Sequence, residues 1–299
     1  MSLRPYLKHR HVLIMFMIPL AFLVVFRYTP MYGLIIAFKE FRMNQGLLGS
    51  AWCGLENFRG LLSGGDFLRA LRNTILISLM RLSFGFVAPI VLALLLNELR
   101  VHWYKRTIQT LTYLPFFFSW VILGGIFKMV FSVDGPINDL LSGLGLEKIQ
   151  FLAHKGWFLA MIIGTGIWQT VGYGAVIYLA ALAGISPALY EAAMVDGAGR
   201  WRQTLHITLP CLIPTVVVLF ILNLGGLLDA GFEQIYNLYN PIVYETSDIL
   251  DTYVLRRLVT MDYGLGTAAG LFKSVVGLML VVGANSLANR VSGGEHGVW

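Results

Sequence analysis

The sequence predicts an all-α polytopic membrane protein with six transmembrane helices, and three observations predict it. Of 299 residues, 57% are hydrophobic and only 13% charged. An average soluble domain carries about 25% charged residues, so this chain has too little charge to cover a water-facing surface. Six apolar stretches each reach the roughly 20 residues that a helix needs to cross a bilayer: 12–38, 71–97, 107–131, 156–183, 210–231 and 264–288. The loops between them are too short to hold a separate soluble domain. An aromatic content of 13% also excludes a disordered chain. The net charge of +6 comes from scattered Lys and Arg with no basic run, so it does not mark a nucleic-acid surface.

The first stretch follows Arg4, Lys8 and Arg10, as a signal peptide would. The apolar run continues past Arg27 with no small-x-small cleavage site, so it reads as a retained anchor helix, bent by Pro19 and Pro30. Residues 1–70 are thus an anchor helix with an outer loop. Residues 71–288 are the core, with one informative loop at 184–210, and 289–299 form a polar tail. With the N-terminus inside, the inner segments 1–11, 98–106, 184–209 and 289–299 are denser in Lys and Arg than the outer ones. The outer segments 39–70, 132–155 and 232–263 are rich in acids. Arg100, Lys105 and Arg106 in one short loop weigh most, and the positive-inside rule gives an N-in, C-in orientation. Cys53 and Cys211 then face opposite sides of the membrane and should not pair.

Chemistry-bearing motifs are sparse. Gly264-Leu-Gly-Thr-Ala-Ala matches the dinucleotide pattern G-x-G-x-x-A but opens an apolar span without a preceding strand. Gly266 and Gly270 there read as a small-residue surface for close helix packing. There is no Walker A sequence, no H-E-x-x-H and no clustered metal ligand set, and the six histidines sit in loops or at span edges. The chain is expected to be a non-catalytic subunit that binds no cofactor.

The loop 184–210 carries the functional information. Gly184 ends the fourth span, Ser186 suits an N-cap and Pro187 the first helical position. Leu189, Ala192 and Ala193 share a small apolar face. Gly197 is suited to stop the helix in a left-handed turn. A second short helix is expected from about Gly199 to Pro210. The product is a helix-turn-helix hairpin able to plug into a groove of another protein, although an ordinary interfacial helix has the same features.

Glu191-Ala192-Ala193, then Gly197, then Ile207-x-Leu209-Pro210 resembles the EAA loop of binding-protein-dependent ABC importer permeases. Asp229–Pro241, Asp251–Arg256 and Gly270–Gly277 resemble the oligosaccharide and polysaccharide subgroup of these permeases, which includes importers for pectin- and alginate-derived saccharides. The resemblance covers about residues 10–290 and implies the type I importer permease fold in a bacterial cytoplasmic membrane. It implies a second, homologous permease subunit, two ATPase subunits that hold ATP and Mg, an extracytoplasmic solute-binding protein and an oligosaccharide cargo. The loop would be the coupling helix seated on the ATPase. Glu191 would be its acidic contact, Gly197 its turn, and Asp196 and Arg200 further contacts. Alternatives are a different cargo for the same machine, such as a neutral sugar or a peptide, and a stand-alone secondary transporter. The latter predicts internal repeats, and none is seen.

Polar residues at membrane depth are functional candidates by default. Thr165, Gln169 and Tyr173 recur at i, i+4 and i+8 on the fourth span and share a face, with Trp168 beside it. Asn223 lies within the fifth span and Asp229 near its outer end. Amides, carboxylates and rings suit sugar hydroxyls and C–H faces. The same residues suit helix packing inside the bundle equally well. Arg27, Arg81, Lys128 and Lys273 are the basic residues that either snorkel, pair, or favour an acidic saccharide. The outer loops 42–68 and 232–263 are expected to help dock the binding protein.

Overall fold

The computed structural model describes residues 10–291. Arg4, Lys8 and most of the polar tail lie outside the described residues. Among the described residues the regular structure is helical apart from one antiparallel ladder, Lys39 opposite Trp52 and Glu40 opposite Ala51, an addition to the all-α expectation. Among the described residues five helical runs are long and apolar enough to span a bilayer: Leu13–Phe38, Gly65–Glu98, Lys155–Ala183, Arg200–Gly225 and Tyr263–Gly283.

The third expected span, 107–131, is not one straight helix. His102–Phe117 and Trp120–Val130 meet at a bend of 104°. Pro115 sits in the tight turn Leu114–Phe117, and Phe118 and Ser119 are extended. Free backbone groups at membrane depth must find partners, and Gln169 Nε2 donates to the Phe118 carbonyl at 3.1 Å.

Two further spans also shift. The second span starts at Gly65 rather than 71. The fifth runs from Arg200 to Gly225 rather than 210–231, because no separate short helix ends at Pro210. Arg200–Gln203, Thr204–Thr208 and Leu209–Gly225 follow one another without a break. Pro210 is tolerated because the turn before it is wider. The same device recurs. Proline removes a hydrogen bond to, and clashes with, the carbonyl four residues earlier. Pro30, Pro89 and Pro210 place that carbonyl at Phe26, Gly85 and His206, each inside a five-residue π turn (Val24–Tyr28, Arg81–Gly85 and Thr204–Thr208). These three prolines therefore coincide with locally widened turns, whereas Pro19 and Pro214 sit in plain α-helix.

The chain divides into two compact units. In the smaller, residues up to Gly64 with Val254–Phe272, Asn57 Nδ2 donates to the carbonyls of Ala37 and Lys39 at 2.9 and 3.1 Å. Lys39 is buried there, its Nζ donating to the carbonyls of Leu47 and Ser50. The expected small-residue surface is half realised. A Cβ at Gly266 would press on Leu258, whereas one at Gly270 would meet nothing within 4 Å.

The larger unit, Gly65–Tyr253 with residues from Lys273 on, holds two apolar clusters. One contains Ile77, Trp120, Phe158, Ile162, Ile235 and Leu238, and the other Ala93, Ala175, Tyr178, Leu182 and Leu212. In lipid, such packing holds helices together through close contact and satisfied polar groups more than through water exclusion. The segment after the fifth span, expected as an outer loop, returns into this unit. Gln234, Ile235 and Leu238 of the helix Phe232–Leu238 are buried.

Candidate functional site

Two places in the larger unit gather the candidate residues. The first is the hairpin. Pro187 opens the helix Pro187–Val195 after Ser186, whose side chain makes no capping bond despite its position. Gly197 has φ +75°, and Ala198 N–H bonds the Ala193 carbonyl at 2.8 Å while Gly197 N–H bonds that of Met194 at 3.1 Å. This paired closure satisfies the helix's last carbonyls and needs a residue that accepts positive φ. Gln203 Nε2 donates to the Ala198 carbonyl at 2.8 Å, and Tyr190 and Thr208 hydroxyls meet at 3.0 Å, joining the two arms. Arg200 pairs with Glu98 at 3.6 Å, tying the hairpin to the end of the second span.

Glu191, Ala192, Asp196, Gly197 and Arg200 are exposed, and Ala193 is half-buried. Leu209 is half-buried and Pro210 exposed at the head of the fifth span. The apolar side chains on show are not those expected from the sequence alone. Val195 is 88% and Trp201 81% exposed, well above Leu189. A rigid hairpin presenting two bare apolar side chains beside a carboxylate is a surface shaped for a partner protein.

The second place is a cavity of about 290 Å³. Gln169, Asn223 and Asp229 line it together with Arg81, Thr170 and Ser78. The fifth span ends at Gly225, so Asp229 stands in the turn beyond it, where its Oδ1 accepts from Gly231 N–H at 3.3 Å. Asn223 Nδ2 donates to the Leu219 carbonyl at 2.7 Å.

The other candidates fall elsewhere. The i, i+4, i+8 series rotates by about 40° per step on a 3.6-residue helix, so its members part company. Thr165 is buried, its hydroxyl bonding the Met161 carbonyl and receiving Gln234 Nε2 at 2.7 Å. Tyr173 lies flat on Phe116, with ring centres 3.9 Å apart. Trp168 packs edge-on against Phe127 beside an apolar groove.

The four basic candidates also separate. Arg27 and Lys128 are exposed on their helices. Lys273 bonds both carboxylate oxygens of Asp251 at 2.6 and 2.7 Å. Arg81 alone of the four reaches the cavity, its Nη2 donating to Gln234 Oε1. Gln234 also donates to the Ile162 carbonyl at 2.8 Å. One buried amide therefore ties the second span, the fourth span and the returning segment together. Gln234 carries no sequence signal beyond its place in the subgroup-like stretch Asp229–Pro241. Gly231, with φ +81°, lies against the Arg81 guanidinium, where a Cβ would collide. Among the described residues no group of His, Cys, Asp or Glu could hold a metal ion.

Comparisons with known proteins agree on one family. Residues 85–293 match the model of the binding-protein-dependent transport system inner membrane component. Protein LplB of Bacillus subtilis (strain 168) is 45% identical over 95% of this chain and 90% of its own. The polygalacturonan/rhamnogalacturonan transport system permease protein YteP of the same organism is 42% identical over 98% and 91%. A solved bacterial alginate ABC transporter, in complex with an alginate pentasaccharide-bound periplasmic protein, superposes with a TM-score of 0.91 at 38% identity, covering 99% of both chains. The chain is thus a multi-pass protein of the bacterial cytoplasmic membrane and belongs to the binding-protein-dependent ABC transporter permease family.

Proposed function

We propose that this permease carries an oligosaccharide released from a polysaccharide across the membrane, driven by a separate ATPase seated on the hairpin 184–210. The observation that carries the coupling is the hairpin itself: exposed, closed by Gly197 in a left-handed turn, and tied to the spans by Arg200–Glu98 and Tyr190–Thr208. The names of two relatives of high coverage, a polygalacturonan/rhamnogalacturonan permease and an alginate transporter, support a saccharide cargo.

In this reading both termini lie in the cytoplasm. ATP and Mg are bound and ATP is hydrolysed on two partner ATPase subunits, none of it on this chain. A homologous second permease completes the pathway, and an extracytoplasmic solute-binding protein delivers the cargo to the outer loops. Closure of the ATPase pair draws the hairpins together. Because the hairpin is braced to the second and fifth spans, its displacement passes to the helices that wall the cavity, a two-state change biased by a partner. Gln169, Asn223 and Asp229 are the contacts offered to the cargo. Thr165, Trp168 and Tyr173 are assigned to packing.

Co-purification tests the class. Isolation with an ATPase pair and a sister permease is expected, and purification as a lone, transport-competent subunit would overturn it. Uptake of labelled oligogalacturonate by cells carrying the complete transporter, lost in a deletion of this subunit, tests the cargo.

A further inference from the structure

Arg81 has more hydrogen-bond donors than the protein gives it acceptors. It opens the π turn Arg81–Gly85 of the second span and lines the cavity with Gln169, Asn223 and Asp229. Its Nη2 donates to Gln234 Oε1, and its buried Nε has no partner. A guanidinium carries five N–H donors and no acceptor. The nearby carboxylate of Asp229 is turned to the Gly231 backbone, which its Oδ1 contacts at 3.3 Å. Contrast Lys273, whose ammonium is held by both oxygens of Asp251. A charged side chain at membrane depth is costly and marks a pathway unless it is paired. Lys273 is paired, whereas Arg81 faces a cavity.

We infer that Arg81 is the specificity-determining residue of the pathway, receiving the carboxylate of a uronic-acid unit as the saccharide passes. The planar fork of the guanidinium matches a carboxylate with two parallel bonds. Asp229 accepts from ring hydroxyls of the same sugar, while the amides of Gln169 and Asn223 can both donate and accept. The cavity, at about 290 Å³, lies at the small end of ligand sites of roughly 300–1,000 Å³. It therefore reads one sugar unit of a passing chain. This inference rests on the saccharide reading above.

The test measures uptake of trigalacturonate and of its fully methyl-esterified form by the complete transporter in proteoliposomes, for wild type, Arg81→Gln and Arg81→Lys. The esters keep the ring and hydroxyls and replace each carboxylate by a neutral group larger by one methyl. Any preference contributed by the solute-binding protein cancels in the variant-to-wild-type comparison. The expected result is an acid-over-ester preference in wild type that falls by about tenfold or more in Arg81→Gln, the scale of one lost charge-assisted pair of about 1.5–3 kcal/mol. Arg81→Lys, which keeps the charge but loses the fork, is expected to retain part of the preference. An equal loss of both uptakes in Arg81→Gln makes Arg81 a structural strut beneath Gly231 and overturns the assignment. Wild-type uptake without preference overturns it as well. Wild-type uptake of neither form overturns the uronic-acid assignment; if a neutral oligosaccharide is then taken up, the saccharide reading stands, so the two failures are distinguishable.

Discussion

The hairpin and the cavity are built in opposite ways. The hairpin is local: its residues lie within one short stretch, its closing bonds join near neighbours, and its important side chains are exposed. The cavity and the polar node that holds Arg81 in its wall are assembled from distant parts: Arg81 and Gln234 are 153 residues apart, and Gln234 then reaches back 69 residues to Thr165. An exposed local device can change function without changing stability. In the buried polar node around Gln234, a substitution that strips a partner should also cost stability, because it leaves another buried group unsatisfied. Substitutions in the two places should therefore separate on two readouts, thermal stability of the purified complex and transport.

The largest effect is expected at Gly231→Val. Its φ of +81° strains a β-branched residue, and the added carbons meet the Arg81 guanidinium. Left-handed strain of about 1–2 kcal/mol and overpacking of about 1–3 kcal/mol add to roughly 2–5 kcal/mol. A large fall in melting temperature should accompany lost transport. Unchanged melting would show that the node does not hold the returning segment.

Gln234→Leu comes next. It strips the acceptor from Arg81 and the donor from Thr165 and the Ile162 carbonyl. Leaving a buried polar group unsatisfied costs about 1–3 kcal/mol, so melting temperature is again expected to drop. If Gln234→Leu and Arg81→Met together cost no more than either alone, the two act as one unit; strict additivity would break the node apart.

Gly197→Val belongs to the other region. At φ +75° it is strained by about 1–2 kcal/mol, about tenfold in the population of the closed hairpin. No neighbouring atom lies within 4 Å of a Cβ there, so nothing beyond the turn is disturbed. Transport and substrate-stimulated ATPase activity should fall while insertion and melting stay near wild type. Wild-type ATPase stimulation would contradict the coupling role.

The same contrast explains what could be read in the sequence. The spans, the hairpin, its left-handed glycine and its exposed carboxylate follow from composition and from spacing over a few residues. What escaped involves long-range pairing. Nothing local marks Gln234 as buried, nor tells Arg81 in a cavity from Lys273 in an ion pair. The third span's bend escaped because its apolar run is continuous, and only Pro115 with the extended Phe118 and Ser119 breaks it. Thr165, Gln169 and Tyr173 share a spacing that holds for one turn and drifts over two. The π turns are legible only in part, since each sits over the carbonyl four residues before a proline, yet Pro19 and Pro214 lie in plain α-helix with no such turn.

Ser186→Ala should have the smallest effect, and it sharpens the comparison from the hairpin's side. A serine before Pro187 at a helix start ordinarily caps it, and its loss costs about 0.5–2 kcal/mol. Here Ser186 holds the cap position with extended backbone, φ −62° and ψ +125°, but its side chain makes no capping bond. The helix it begins is fixed at its other end by the Gly197 closure and sideways by Tyr190 on Thr208. The alanine variant should then shift stability by less than about 0.5 kcal/mol, the usual range for a surface change away from such features, and leave transport unchanged. A loss of 1 kcal/mol or more, on the order of a true cap, would mean that Ser186 swings onto the helix end when the partner is seated. The hairpin would then be less rigid than its closing bonds make it, and part of its function would lie in tightening on contact.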